Sequence, residues 1–311
     1  MAVVPRAAVL ITALVTLVLA GCGGTPTVAP SAAPALSPVA PSSAPVTTVA
    51  ASCTPVAGFP CEWSERFAAA QRTIDGRPDA PGFVAATVVD RVTGATWTAG
   101  DVDRPGWTAS TIKVAIATDL REQGGLSDAD RADMDAMLHS SDNRATDRLW
   151  KRHGGDAMLD RFRTTFGMRS VAFQPGFTSS TYWGFVKCST ADLAAMVRYV
   201  LDRAAPADRA YLVDAMRGVA GNQHWGVWAA GADQRPGTKD GWSQERDDWG
   251  EHWVTATAGF AGPDERYVVA VTDQQPSPGT LPGGVRTVSD VVAQLFGQPV
   301  PAPVTVPEPD D

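Results

Sequence analysis

Residues 61–297 predict an α/β protein of the α+β kind, an antiparallel β-sheet flanked by helices with a helical subdomain inserted into it. Three observations carry this expectation. A hairpin pattern opens the region, a series of capped helices fills its middle, and strand patterns return before a closing helix. That order builds one sheet from both ends of the region and places the helices between.

After an opening helix, the β-branched run at 83–89 and the strand at 95–99 are joined by turn residues 90–94, which makes a hairpin. An apolar run at 112–121 closes at Gly124-Gly125, and Ser127 then caps a helix over 128–138. Helices over 144–153 and 156–166 end at Gly154-Gly155 and at Gly167. Ser189 and Asp192 form a capping box for a long helix over 190–203. Strands at 253–257 and 267–272 and a helix at 287–296 complete the region.

The flanks differ in kind. Arg6 and the apolar run 7–20 read as an export signal, too short and too weakly flanked for a comfortable membrane span. Residues 1–21 end in Leu19-Ala20-Gly21 before Cys22, which resembles the lipobox of bacterial lipoproteins. That resemblance implies cleavage before Cys22 and a lipid on its sulfur, so the chain would be exported and anchored to the outer face of the cell membrane. An ordinary signal peptide that happens to hold a cysteine is the alternative. Residues 22–60 are rich in Ala, Pro, Ser, Thr and Val and nearly uncharged, the composition of an extended tether. Residues 298–311, with recurring prolines, are expected as a flexible tail.

The 311-residue chain is 44% hydrophobic and carries a formal charge of -8, ample for a core and opposed to nucleic-acid binding. Expected partners are small molecules, peptides or cell-wall fragments, and the membrane through the lipid. No Cys-x-x-Cys or paired-histidine spacing suggests a metal, and no cofactor is expected. In an oxidising compartment Cys53 and Cys61 are the pair expected to bridge, although spacing alone leaves pairings with Cys188 open.

Only four lysines stand among 26 basic residues, and two of them sit in short motifs. A lysine can lose its proton when shielded from water or placed near another cation, whereas arginine cannot. In Ser110-Thr111-Ile112-Lys113, a hydroxyl and a deprotonatable amine lie three residues apart at a helix start, where free N–H groups favour a developing oxyanion. Ser141-Asp142-Asn143 follows the next helix and offers a proton-relaying hydroxyl and a carbonyl-holding amide. Lys239-Asp240-Gly241-Trp242 reads as an extended edge segment, with lysine aimed into a cleft and glycine admitting substrate backbone. Each motif alone has a plain structural explanation as a cap or a turn.

In this order the motifs resemble those of the class A β-lactamase and penicillin-binding family of active-serine hydrolases, over about residues 83–296. The likeness is nearest to the branch carried by exported lipoproteins. It implies a β-lactamase/transpeptidase-like fold with a cleft between sheet and helical subdomain. It further implies Ser110 as the acylated nucleophile, Lys113 as its base and Ser141 as proton relay. Asn143 would hold the substrate amide, Lys239 would supply positive charge, and the N–H groups of Ser110 and Trp242 would stabilise the oxyanion. The substrates implied are β-lactams or related cell-wall amides.

Three departures stand out. No Asp or Glu occurs between Asp160 and Asp192, where the family's β-lactamases carry the glutamate that activates the deacylating water; Gln174 could only position that water. A long-lived acyl-enzyme is therefore expected. Asp240 replaces the family's Thr or Ser and would repel a substrate carboxylate unless strand alternation turns it away. The insert between Ser110 and Ser141 is short, which predicts an open cleft. The first two also motivate a second reading, an inactive fold kept as a cell-envelope binding or scaffolding module. A Ser-His-Asp esterase lacks its Gly-x-Ser-x-Gly elbow.

Overall fold

The computed structural model describes residues 54–77, 81–177 and 182–309. The expected export signal, Cys22 and Cys53 lie outside them; Cys61 is disulfide-bonded, and Cys188 is a buried free thiol. Among the described residues no helix is long and apolar enough to cross a membrane.

Helix α1 (Trp63–Asp75) precedes the hairpin of β1 (Phe83–Asp90) and β2 (Thr96–Ala99), as the turn at 90–94 predicts. A short β3 (Gly106–Trp107) leads to α2 (Lys113–Gln123), α3 (Asp128–His139), α4 (Asn143–His153) and α5 (Gly155–Thr164). The strands β4 (Ala172–Phe173) and β5 (Val186–Cys188) follow, then α6 (Thr190–Asp202) and α7 (Pro206–Arg217). The chain returns through β6 (Gly237–Asp247), β7 (Gly250–Ala261) and β8 (Tyr267–Gln274) and closes with α8 (Leu281–Leu295). The main sheet has five strands in the order β2-β1-β8-β7-β6, every pair antiparallel. This is the predicted sheet from both ends with a helical insert.

Burial explains the layers. On one face of the sheet Trp63, Phe67, Val285, Val288 and Val292 of α1 and α8 pack over Val84, Val269 and Val271. On the other, Ile116, Val197 and Val200 of α2 and α6 pack over Ala256, Ala258 and Ala270. Small residues on that second face bring the helical insert close to the sheet. Ser189 and Asp192 cap α6 reciprocally at 3.1 and 3.2 Å, as predicted.

Two features position the site. Strand β6 lies at the sheet edge, so part of its backbone faces the cleft rather than another strand. The side chain of Gln274 grips β3 with both amide atoms: Oε1 accepts from Trp107 N and Nε2 donates to Trp107 O, each at 3.1 Å.

Packing corrects the expectations at both flanks. Phe59, placed in the tether by composition, is fully buried with its ring against Trp63 and Phe67. The flexible tail expected from residue 298 is docked instead. Ala302 is fully buried, its N–H donates to Asp290 Oδ1 at 2.8 Å, and Thr305 N–H donates to His224 O at 3.1 Å. Val304 and Val306 pack against the core. Prolines suit an extended strap docked on a surface as well as they suit a free tail.

Candidate active site

Ser110 lies in the 3-10 turn Ala109–Ile112 that feeds α2. Thr108 anchors the turn by donating its N–H to Val186 O at 3.3 Å, and Ala109 adopts φ 44°. Ser141 adopts φ 63° just before α4. Left-handed backbone at a non-glycine residue costs on the order of 1–3 kcal/mol; Ala109 directly precedes the first motif and Ser141 opens the second. Asp142 caps α4 by accepting from Ala145 N at 2.8 Å. The plain explanation of Ser-Asp-Asn as a cap is therefore right for Asp142, while its two neighbours do something else.

The three motifs converge. Lys113 Nζ donates to Ser141 O at 2.6 Å, to Ser141 Oγ at 3.1 Å and to Asn143 Oδ1 at 2.7 Å. Lys239 Nζ donates to Ser141 Oγ at 3.0 Å, to Asp240 O at 2.9 Å and to Gln223 Oε1. Ser110, Asn143 and Trp242 line one cleft. The expected hydrogen bond between Ser110 Oγ and Lys113 Nζ is absent among the described residues, because the amine is drawn to the three oxygens of the second motif. A Cβ at Gly241 would stand 2.6 Å from Ser110 N and 2.9 Å from Thr111 N, so only glycine lets β6 lie this close to the turn that carries Ser110.

Burial sets the charge states. Both lysines are fully buried. Desolvation, and then the nearby charge of Lys239, hold Lys113 well below the usual lysine range, against the pull of Asp142 and Asp147. Desolvation also pushes Lys239 down, and Asp240 opposes it. Burial pushes the Asp240 carboxyl up, against hydrogen bonds from Thr257 and Thr238.

Asp240 faces away from the cleft. Its Oδ1 accepts from Thr238 Oγ1 at 2.7 Å and from its cross-strand partner Thr257 Oγ1 at 2.5 Å, on the face beneath Gly226 and α8. Strand alternation sends Lys239 and Gly241 to the opposite side. The clash expected with a substrate carboxylate does not arise at Asp240.

Where the short insert predicts an open cleft, an aromatic wall leaves a narrow one of about 120 Å³. Tyr182, Trp183 and Phe185 supply that wall. The Trp183 ring roofs Lys113, with Nζ 4.6 Å from its centroid, and its Nε1 donates to Asp147 Oδ1 at 2.9 Å. Gln174 is not among the lining residues. One contributor, Glu245, went unassigned at the sequence level, whereas Gln223 opens the segment 223–226 before the third motif, expected to shape the cleft floor. Gln223, fully buried, donates Nε2 to His139 O at 2.9 Å and holds Lys239 in place. Glu245 lines the cleft from β6, and alternation from Lys239 could have found it. Among the described residues no cluster of His, Cys, Asp and Glu could hold a metal ion.

No family model matches the chain. It is 32% identical over 221 residues to "Putative lipoprotein LppW" of Mycobacterium tuberculosis (strain ATCC 25618 / H37Rv), spanning 65% of this chain and 68% of that protein. The protein of the same name from Mycobacterium bovis matches to the same extent. Among solved structures, PBP-A superposes with a TM-score of 0.60 at 19% identity, covering 75% of this chain and 95% of that one. An ancestral class A β-lactamase superposes with a TM-score of 0.58 at 21% identity, covering 76% and 99%. The chain belongs to the LppW lipoprotein family and has the fold of class A β-lactamases and PBP-A.

Proposed function

We propose that this protein is an exported, lipid-anchored serine hydrolase that forms an acyl-enzyme through Ser110 with β-lactams or related cell-wall amides and releases it slowly. The observation that carries the reading is the meeting of Lys113 and Lys239 on Ser141 Oγ beside the cleft that Ser110 lines. Cys22 would carry the anchor and the residues that follow it the tether.

In this reading Lys113, neutral through burial, turns from Asn143 toward Ser110 and takes its proton as Oγ attacks the carbonyl. The N–H groups of Ser110 and Trp242 hold the oxyanion, each contributing about 10²–10³ in rate. Ser141 passes a proton to the leaving group and is resupplied from the lysines that flank it. Hydrolysis of the ester then needs a base for water. The loop between Asp160 and Asp192 has no carboxylate, and Trp183 covers Lys113, so release is slow. A point variant of PBP-A, which shares the fold at 19% identity, has been captured as an acyl-enzyme with penicillin G.

Incubation of the purified protein with penicillin G and with an activated peptide ester, followed by intact mass, tests the reading. A persistent adduct that vanishes in Ser110→Ala is expected; no adduct with either reagent would overturn it. The second reading, a module that binds envelope components without catalysis, draws on the missing Ser110–Lys113 hydrogen bond. It loses the support of Asp240, which faces away from the cleft.

A further inference from the structure

We infer that the cleft selects acyl groups carrying a positive charge, or none, over those carrying a carboxylate, and that Glu245 sets this preference. The inference rests on the acyl-transfer reading above and names its substrate class.

Among the described residues ten line the cleft, and Glu245 is the single charged side chain of these. The two lysines do not offset it. Lys113 Nζ is turned onto Ser141 O, Ser141 Oγ and Asn143 Oδ1. Lys239 Nζ is turned onto Ser141 Oγ, Gln223 Oε1 and Asp240 O. Neither amine lines the cleft, and both are fully buried, so neither presents a cation to a ligand carboxylate. The cation nearest on β5, Lys187, is not a lining residue; it pairs with Asp247 at 3.5 Å and lies 4.4 Å over the Trp107 ring. Lys187 acts on Glu245 from outside the lining, and its partner Asp247 opposes it from the same strand as Glu245.

Shape points to the same class. Gly241, Ser243 and Glu245 share one face of β6, so the carboxylate stands four residues along the strand from Gly241, roughly 13 Å for an extended chain. A cleft of about 120 Å³ admits a narrow acyl chain. An aminoalkyl or short peptidyl chain laid along β6, its carbonyl at Ser110 and its ammonium at Glu245, meets both limits. The covalent step is unaltered: Ser110 Oγ forms the ester bond and the leaving group departs with the serine's proton. Tyr182 opposite, its hydroxyl pushed up to about 12 mainly by burial, stays neutral and adds no charge.

The test uses the full-length protein and three thioesters with the same activated carbonyl, ending in an ammonium, a neutral amide or a carboxylate. Burial raises the Glu245 carboxyl from its ordinary value, so the buffer is kept mildly alkaline to hold it ionised. Acylation rates are read by intact mass. The ammonium thioester is expected to react roughly tenfold or more faster than the carboxylate one at low salt. The ratio should fall toward one in Glu245→Gln and invert in Glu245→Lys. Equal rates in the wild type, or a ratio untouched by Glu245→Gln, overturn the assignment while the neutral thioester still labels Ser110. Failure of the neutral thioester to label Ser110 removes the acyl-transfer reading, and this inference with it.

Discussion

Lys113 and Lys239 reach the same atom, Ser141 Oγ, at 3.1 and 3.0 Å. Two amines from motifs far apart in the chain share one hydroxyl, and each is cut off from water. After burial, the charge of Lys239 is the largest influence holding Lys113 down.

Replacing Lys239 tests that coupling. In Lys239→Met the repulsion disappears, the pKa of Lys113 rises, and less neutral amine exists at a given pH. The acid limb of the pH–rate profile for Ser110 acylation should move to higher pH, which rates measured between about pH 6 and 9 would reveal. An unmoved limb would show that the two lysines titrate independently.

Gly241→Ala places a methyl 2.6 Å from Ser110 N. Backbone must move, and the N–H pair proposed to hold the oxyanion is lost together. Acylation should slow by about 10²–10³ while circular dichroism retains the native signal. Acylation at the wild-type rate would place the oxyanion elsewhere.

Opening the roof should shorten the adduct's life. Trp183→Ala removes the ring over Lys113 and lets water approach an amine that can then act as base. Deacylation is expected to accelerate, read as faster loss of the mass adduct, whereas Trp183→Phe keeps the ring and should change it little. An adduct equally persistent in both would assign slow release to the missing loop carboxylate alone.

Asp273 supplies a stability prediction. It is buried, Oδ2 has no hydrogen-bond partner among the described residues, and burial raises its carboxyl to about 7. The folded state then binds a proton that the unfolded chain releases near pH 4. Stability should fall as pH rises from about 4 to 7 and level off above, by at most ~4 kcal/mol. Urea midpoints should show this slope in the wild type and lose it in Asp273→Asn.

Local signals made much of the fold legible. The capping box of Ser189 with Asp192 and the glycine stops defined helices whose ends fall within a few residues of expectation. Helix α7 escaped because its cap, Ala205, has no side-chain acceptor, although Pro206 at its first turn was a start signal. The three motifs pointed to the site because their order survives folding. Glu245 did not stand out, nor did the hold of Gln223 on Lys239, since each depends on a partner that only the folded chain brings near. The Pro-rich end was misjudged because composition reports stiffness, not whether a groove receives it.

The strap formed by residues 298–309 has a practical side. Thr305 is tied to His224, next to the Gln223 that secures Lys239. A reporter or purification handle fused at that end would pull on this support. The tip of the β1–β2 turn, where Val92 is 74% exposed, is the better place to attach a fluorophore.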